Sequence, residues 1–507
     1  MIAKMHSCAV RGMDAIVVDV EVDISLGMPV FGMVGLAETA VRESKERVRA
    51  AIQNTGYTFP MDRVVVNLAP ADVKKEGTGL DLPVAMGILC ASGLFEQAKA
   101  LEWIMAGELS LDGSIKPVRG AIPFALAARD NGFRGIILSE ENGREASMVR
   151  GIDVLGGAHL SDVVAFFSGE KELPPLEPEM PAGDVKVKGS RDFALVRGQD
   201  HVKRALEVAA SGGHHILMNG PAGSGKSMMA KCLPGILPGL SFEEQLEVAR
   251  VYSVTGTEFA PDARPFRSPH HSISDAGLVG GGPGPMPGEI SLAHHGVLFL
   301  DELPEFRRNV LEVLRQPLED GEITLARARS RATYPCRIML VGAMNPCPCG
   351  NLTNPAAQCT CSPGRINQYR AKVSGPLLDR IDVQVEVPRL SYDQLSRPGK
   401  EEGSETVRKR VEQAREIQTH RFKDSPCFCN ADMGQDLVQI HCRPDSEGEH
   451  VLRQAMDRLN LSARAGTSIL KLSRTIADLE GEDRILRSHI LEAVQYKRFD
   501  RDGGMHF

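Results

Sequence analysis

One run of eight residues, Gly220-Pro221-Ala222-Gly223-Ser224-Gly225-Lys226-Ser227, limits what this chain can fold into more than any other. It fits G-x-x-x-x-G-K-[ST], a loop whose glycines let successive backbone N–H groups close around a phosphate. Such a loop needs a buried strand before it and a helix behind it, with the helix N-terminus facing the anion. The flanks comply: His215-Ile216-Leu217-Met218 reads as a strand, and Ser227-Met228-Met229-Ala230-Lys231-Cys232-Leu233 opens a helix. Lys226 suits the β/γ-phosphate oxygens and the Ser227 hydroxyl suits Mg²⁺. Further on, the apolar run Val297-Leu298-Phe299-Leu300 ends in Asp301 and Glu302. Asp301 fits the magnesium shell, and Glu302 fits the polarisation of an attacking water. A third strand-like run, 337–343, leads to Asn345, a polar residue beside the expected γ-phosphate position. Strands alternating with helices in this way imply an α/β core with a parallel sheet. The two motifs, in this order, imply NTP hydrolysis.

A chain of 507 residues is too long for one core, and two to four domains are expected. Residues 1–168 read as a self-contained unit: strand-like runs at 15–23 and 63–68 flank a helical stretch at 37–54. A linker at 169–190 follows, marked by Pro174, Pro175, Pro178 and Pro181. The phosphate motifs fall in 191–390. The rest, 391–507, is helical by pattern, with 3.6-residue spacing at 407–418 and 451–461. A net charge of −7 argues against a protein coated in basic surface, so any nucleic-acid contact must be local. No apolar run reaches the ~18 residues of a membrane span, and the start lacks a signal-peptide core. A cytoplasmic protein without membrane partners is therefore expected, its eleven cysteines reduced or metal-bound.

Several long strings point to a family. They are Arg264-Pro265-Phe266-Arg267-Ser268-Pro269-His270-His271-Ser272, the run from Pro287 to Glu302, Met344-Asn345-Pro346-Cys347-Pro348-Cys349-Gly350, and Ser374-Gly375-Pro376-Leu377-Leu378-Asp379-Arg380-Ile381-Asp382. They resemble the ComM/YifB group of magnesium-chelatase-like AAA+ ATPases over nearly the whole chain. The resemblance implies a homohexameric ring with ATP between subunits and a helical lid behind the core. It makes Arg380 the finger that reaches a neighbour's γ-phosphate, and Arg474 the second sensor on the lid. It also implies a helicase acting on single-stranded and branched DNA, driving branch migration during natural transformation. The alternative is a chelatase-like or chaperone-like ring that remodels a protein partner.

Two insertions bear on that choice. Gly280-Gly281-Gly282-Pro283-Gly284-Pro285-Met286-Pro287-Gly288 is too rich in glycine and proline for a regular helix or central strand. The second insertion, 322–334, reads as a hairpin in which Arg327, Arg329 and Arg331 recur at every second position, a spacing that points them to one face of a strand, suited to a phosphate backbone. Cys347, Cys349, Cys359 and Cys361 form a C-x-C…C-x-C set that can complete a structural Zn²⁺ shell; Cys427 and Cys429 are not expected to join it. The paired histidines 214–215, 270–271 and 294–295 are expected to be poor chelates, because neighbouring side chains on a helix or strand diverge. The N-terminal unit, around 75–86 and 107–120, looks similar to a Lon-protease α+β domain. That family's serine falls at Gly79 and its lysine at Phe124, so no peptidase dyad is present.

Overall fold

A computed structural model describes residues 1–497, apart from 36–38, 72–74, 76, 178–190, 258–259, 261–262, 283, 328–329, 355, 392–393, 395–400 and 426, and apart from the side chains of 39–42, 327 and 330. Part of the expected linker, 178–190, thus lies outside the described residues, as does Arg329. Among the described residues, no helix is long and apolar enough to cross a membrane.

The N-terminal alternation of apolar and polar residues produces a mixed sheet. Its strands are β1 (Ile2–Arg11), β2 (Asp14–Ser25), β3 (Val30–Val34), β4 (Arg63–Ala69), β5 (Trp103–Met105), β6 (Gly135–Leu138) and β7 (Asp153–Gly156), in the order β3-β4-β2-β1-β5-β6-β7. Met5, Val18, Val20, Val22, Val64 and Val66 line one face and are fully covered. Helix α1 (Thr39–Asn54) and the wholly buried α2 (Asp81–Ala91) pack on that sheet, with α3 (Ala121–Asp130) against β2 and β6.

The second sheet is parallel throughout. It runs β9 (Phe266–Arg267), β10 (Val297–Leu300), β13 (Met339–Met344), β8 (Ile216–Asn219), β14 (Val383–Glu386). The runs Val297–Leu300 and Met339–Met344 are buried at every position, as expected of strands covered on both faces. The third strand begins at Met339 rather than 337, because Arg337 turns aside: its backbone N–H donates to His294 Nδ1 at 3.1 Å and its guanidinium stacks 4.4 Å from the Phe428 ring. Helices α4 (Asp200–Gly212), α5 (Lys226–Ala230) and α6 (Phe242–Thr255) belong to this unit. The 407–418 pattern falls within α7 (Ser404–Arg421), and the 451–461 pattern overlaps α8 (Ser446–Arg458) but runs past its end; α9 (Ala463–Glu480) and α10 (Arg487–Gln495) follow. Both α7 and α9 pack on α4, so lid and core share one hydrophobic cluster.

The arginine-bearing segment is a hairpin, β11 (Glu322–Arg327) and β12 (Ser330–Pro335). The hairpin is as expected, but the placing of its arginines on one strand face needs correction. Arg327 closes one strand, opposite Ser330, while Arg331 stands in the other, opposite Ala326. Arg327 and Arg331 therefore do not share one strand face, and Arg329 lies outside the described residues. Arg331 is exposed. The covered face of the hairpin carries Ile323, Leu325, Ala332 and Tyr334, and it meets the N-terminal unit. There the β1–β2 turn wedges in: Met13 packs with Val248, Val251 and Tyr252 of α6 and with Ala332 and Tyr334. Arg250 holds the turn by donating to Met13 O at 2.8 Å and pairing with Asp14.

Candidate nucleotide-binding site

Because β8, β10 and β13 run parallel side by side, whatever follows each strand emerges at the same edge of the sheet. The phosphate loop leaves β8, Asp301 and Glu302 leave β10, and Asn345 leaves β13. Gly220 is glycine by necessity, since a Cβ there would lie 2.1 Å from Val387 O. Lys226 folds back over the loop. Its Nζ donates to Gly220 O (2.6 Å), Pro221 O (2.9 Å) and Asn345 Oδ1 (3.2 Å). Burial pulls its ammonium down to about 8, with Asp301 and Glu302 acting the other way. Ser227 Oγ donates to Asp301 Oδ2 at 2.6 Å, so the two oxygens expected to hold a divalent cation face each other.

Glu302 is half exposed and sits in the left-handed region (φ 53°), a conformation that costs a non-glycine residue of order 1–3 kcal/mol. A tight turn holds it there: Glu305 N–H donates to Glu302 O at 2.7 Å, and Glu302 N–H donates to Asp301 Oδ1 at 3.0 Å. His271 Nδ1 lies 3.7 Å from Glu302 Oε2, a neighbour the sequence reading missed although its Ser-Pro-His-His motif was plain. Asn219 Oδ1 and Ser224 Oγ are buried with no hydrogen-bond partner. Unpaired polar atoms on this loop, together with the Ser227–Asp301 pair, fit a nucleotide and its Mg²⁺.

Arg380 is placed elsewhere. Its partners are Pro376 O (2.7 Å) and Glu319, and its buried Nε has none. Arg464, in the first turn of α9, reaches the same Glu319 at 3.2 Å. Both arginines line a cavity of about 840 Å³ with Arg264, Arg337 and Arg415. His215, Gly296 and Ile338, also in its wall, lead into the strand starts, so this cavity lies at the edge opposite the phosphate loop.

Arg474 is not brought to the loop at all. It is almost fully buried in the lid, where Nε donates to Asp478 Oδ1 (3.0 Å), Nη1 to Asp483 O (2.7 Å) and Nη2 to Glu482 O. Every nitrogen is engaged because the buried Asp478 carboxylate needs a cation beside it. The sensor expectation for Arg474 conflicts with this geometry; Arg464, ten residues earlier on the same helix, is the lid arginine beside Arg380.

The cysteine set converges. Cys347 Sγ is 3.4 Å from Cys349 Sγ and 3.7 Å from Cys359 Sγ, Cys349 to Cys359 is 3.6 Å, and all four sulfurs, Cys361 included, lie within 4.8 Å of one another. Backbone N–H groups of Asn351 and Thr360 pull the Cys349 thiol down to about 6. Cys427 and Cys429 are not in this group.

The divergence expected of paired histidines fails at 294–295. His295 has φ 53°, which swings its ring beside that of His294 (centroids 4.0 Å), and both Nε2 atoms meet Glu247 Oε2, at 3.0 and 2.7 Å. The result is a hydrogen-bonded cluster. Arg337 N–H donates to His294 Nδ1, which leaves the proton on Nε2 to donate to Glu247. Burial pulls His294 down to about 4, and the two imidazoles hold the Glu247 carboxyl well below the usual range.

Three family models match: magnesium chelatase subunit ChlI over residues 192–395, its ChlI subunit model over 20–142, and its C-terminal model over 401–497. The chain is 44% identical over 503 residues to the uncharacterized protein YifB of Escherichia coli, covering 98% of this chain and 97% of that protein. It is 42% identical over 506 residues to the competence protein ComM of Haemophilus influenzae, covering 99% and 98%. A 189-residue stretch is 26% identical to the magnesium-chelatase 38 kDa subunit of Rhodobacter capsulatus, covering 32% of this chain and 53% of that subunit. By its full-length similarity, the chain belongs to the ComM/YifB family of magnesium-chelatase-like AAA+ proteins.

Proposed function

We propose that this protein is an ATP-hydrolysing DNA motor that works as a homohexameric ring. One observation carries the reading: Lys226, Ser227, Asp301, Glu302 and Asn345 meet at one edge of the sheet, while Arg380 faces a cavity at the other. Such a chain holds half a site on each edge, and a ring brings the halves together. Residues 220–227 cradle the phosphates; Ser227 and Asp301 hold Mg²⁺, which supplies charge neutralisation. Glu302 takes the proton of the attacking water, Asn345 orients that water, and Arg380 of a neighbour faces the charge developing on the phosphoryl oxygens.

Arg380→Ala is expected to slow turnover by about 10³-fold or more. Mixing it with Lys226→Ala protein is expected to restore part of the activity, since one variant supplies the finger and the other the loop. Mixtures as inactive as their components would place Arg380 outside any shared site.

DNA as the partner is supported by the competence protein among the relatives and by the exposed Arg331 on the hairpin. The function inferred is branch migration of recombination intermediates during natural transformation. The test is a labelled three-stranded or four-way junction with wild type and Glu302→Gln. ATP consumption that DNA does not stimulate, with no strand moved, would sink this reading and leave protein remodelling in its place. Replacing Arg327 and Arg331 with Ala is expected to lower the slope of log affinity against log salt by about one for each phosphate no longer neutralised. An unchanged slope would put the DNA-binding surface elsewhere. The N-terminal unit, inferred to be Lon-like, serves as a non-proteolytic platform: Gly79 offers no nucleophile, and a Cβ there would sit 3.6 Å from Val118 Cγ1.

A further inference from the structure

We infer that Cys347, Cys349, Cys359 and Cys361 hold one Zn²⁺ that fixes the wall of the nucleotide pocket, so that metal occupancy and ATP affinity are coupled. The inference rests on the nucleotide-site reading and deepens it.

The first argument is the donor set. A tetrahedral zinc with Zn–S of ~2.3 Å has S···S edges of ~3.8 Å. The measured separations of 3.4, 3.6 and 3.7 Å fall close to that figure without any disulfide. Four thiolates close the shell, which makes the site structural rather than catalytic.

The second argument is what the shell closes. Between Cys349 and Cys359 the chain reads Gly350-Asn351-Leu352-Thr353-Asn354 and onward, with little apolar matter to order it. Ordering each such residue costs about 1–2 kcal/mol of backbone entropy, which metal–thiolate bonds can offset. This loop is not remote. Cys347 stands two residues after Asn345, the side chain that takes a hydrogen bond from Lys226. Gly350, at φ 76°, lies against the phosphate loop: a methyl group added to it would be 3.4 Å from Ala222 Cβ, 3.5 Å from Ala222 N and 4.0 Å from Asn345 Cγ. The returning limb leads from Cys361 into the helix Pro363–Arg370. There Arg370 Nε donates to Pro346 O at 3.2 Å, which ties that helix to the residue after Asn345. Asn345 and Ala222 are therefore gripped by a loop that the four sulfurs hold shut. Losing the metal frees Gly350 and Asn345 together, and the site that Lys226 depends on loosens.

Coupling between two sites is reciprocal. Purified full-length protein is expected to contain one zinc per chain, and Cys359→Ser none. Chelator-stripped wild type is expected to bind ATP about tenfold more weakly and to recover when Zn²⁺ is returned, which a misfolded protein would not do. In the reverse direction, Mg²⁺-ATP is expected to slow zinc loss to a chromogenic chelator in wild type but not in Lys226→Ala. Protein that takes up no zinc on reconstitution overturns the metal site. Zinc-free protein with undiminished ATP affinity overturns the coupling. Zinc-loaded wild type that binds no ATP overturns the nucleotide-site reading, and with it the coupling, while the metal count stands by itself.

Discussion

Glu302→Gln is expected to lower ATP turnover by about 10²–10⁴-fold while nucleotide remains bound, the loss associated with removing a general base. The substitution keeps size and hydrogen-bonding length, and the backbone turn that holds residue 302 at φ 53° is made by main-chain groups. Glutamine therefore takes the same position without the ability to accept a proton. No hydrogen bond of the cradle is made by this side chain: Lys226 is tied to Gly220, Pro221 and Asn345, and Ser227 to Asp301. The measurement is steady-state hydrolysis beside equilibrium ATP binding in one preparation. Turnover within a few-fold of wild type would remove Glu302 from the chemistry and point to His271, the titratable side chain beside it.

Asp478→Ala is expected to cost about 3–5 kcal/mol of lid stability, the cost of breaking a buried ion pair from one side. The Asp478 side chain is fully buried and receives Arg421 Nη1 (2.8 Å), Arg474 Nε (3.0 Å) and Asn430 Nδ2 (2.7 Å). Removing it strands two guanidinium groups inside the lid. Arg474→Ala acts in the same sense, with a smaller loss because Arg421 still faces the carboxylate. Both variants are expected to lower the denaturation midpoint, and ATP turnover should fall only in proportion to unfolded protein. If Arg474→Ala kept the wild-type midpoint and still hydrolysed slowly, the sensor role implied by family resemblance would stand after all.

How much of this was readable beforehand depended on whether a feature's partners are close in sequence. The phosphate loop was readable because one contiguous run must supply strand, turn and helix start. Asp301, Glu302 and Asn345 were readable because parallel strands bring their C-terminal ends to a common edge. The role expected of Arg474 came from a motif, while its local partner was legible as well, since Asp478 stands four residues on along the same helix. The arginine stripe misled because period-two spacing says nothing about where a strand reverses, and 328–329 carries none of the Asn-Gly or Gly-Gly signals of a tight hairpin. His294 and His295 converge where one of them takes a left-handed backbone, which no side-chain pattern announces, and the His270 and His271 rings also lie with centroids 4.0 Å apart. The 840 Å³ cavity and the shared Glu319 join residues from distant stretches of chain and left no local trace.

The wedge at Met13 has a consequence for how such chains can diverge. The side chain fills a space whose other walls, Val248, Val251, Tyr252, Ala332 and Tyr334, are supplied by residues more than 200 positions away. A larger residue at 13 is tolerable only with a smaller one across from it, and Ala332, beside Gly12, leaves little slack to give. Substitutions on the two sides are thus bound to arise in compensating pairs. Grafting the first 168 residues of one relative onto the remainder of another would import half of such a pair.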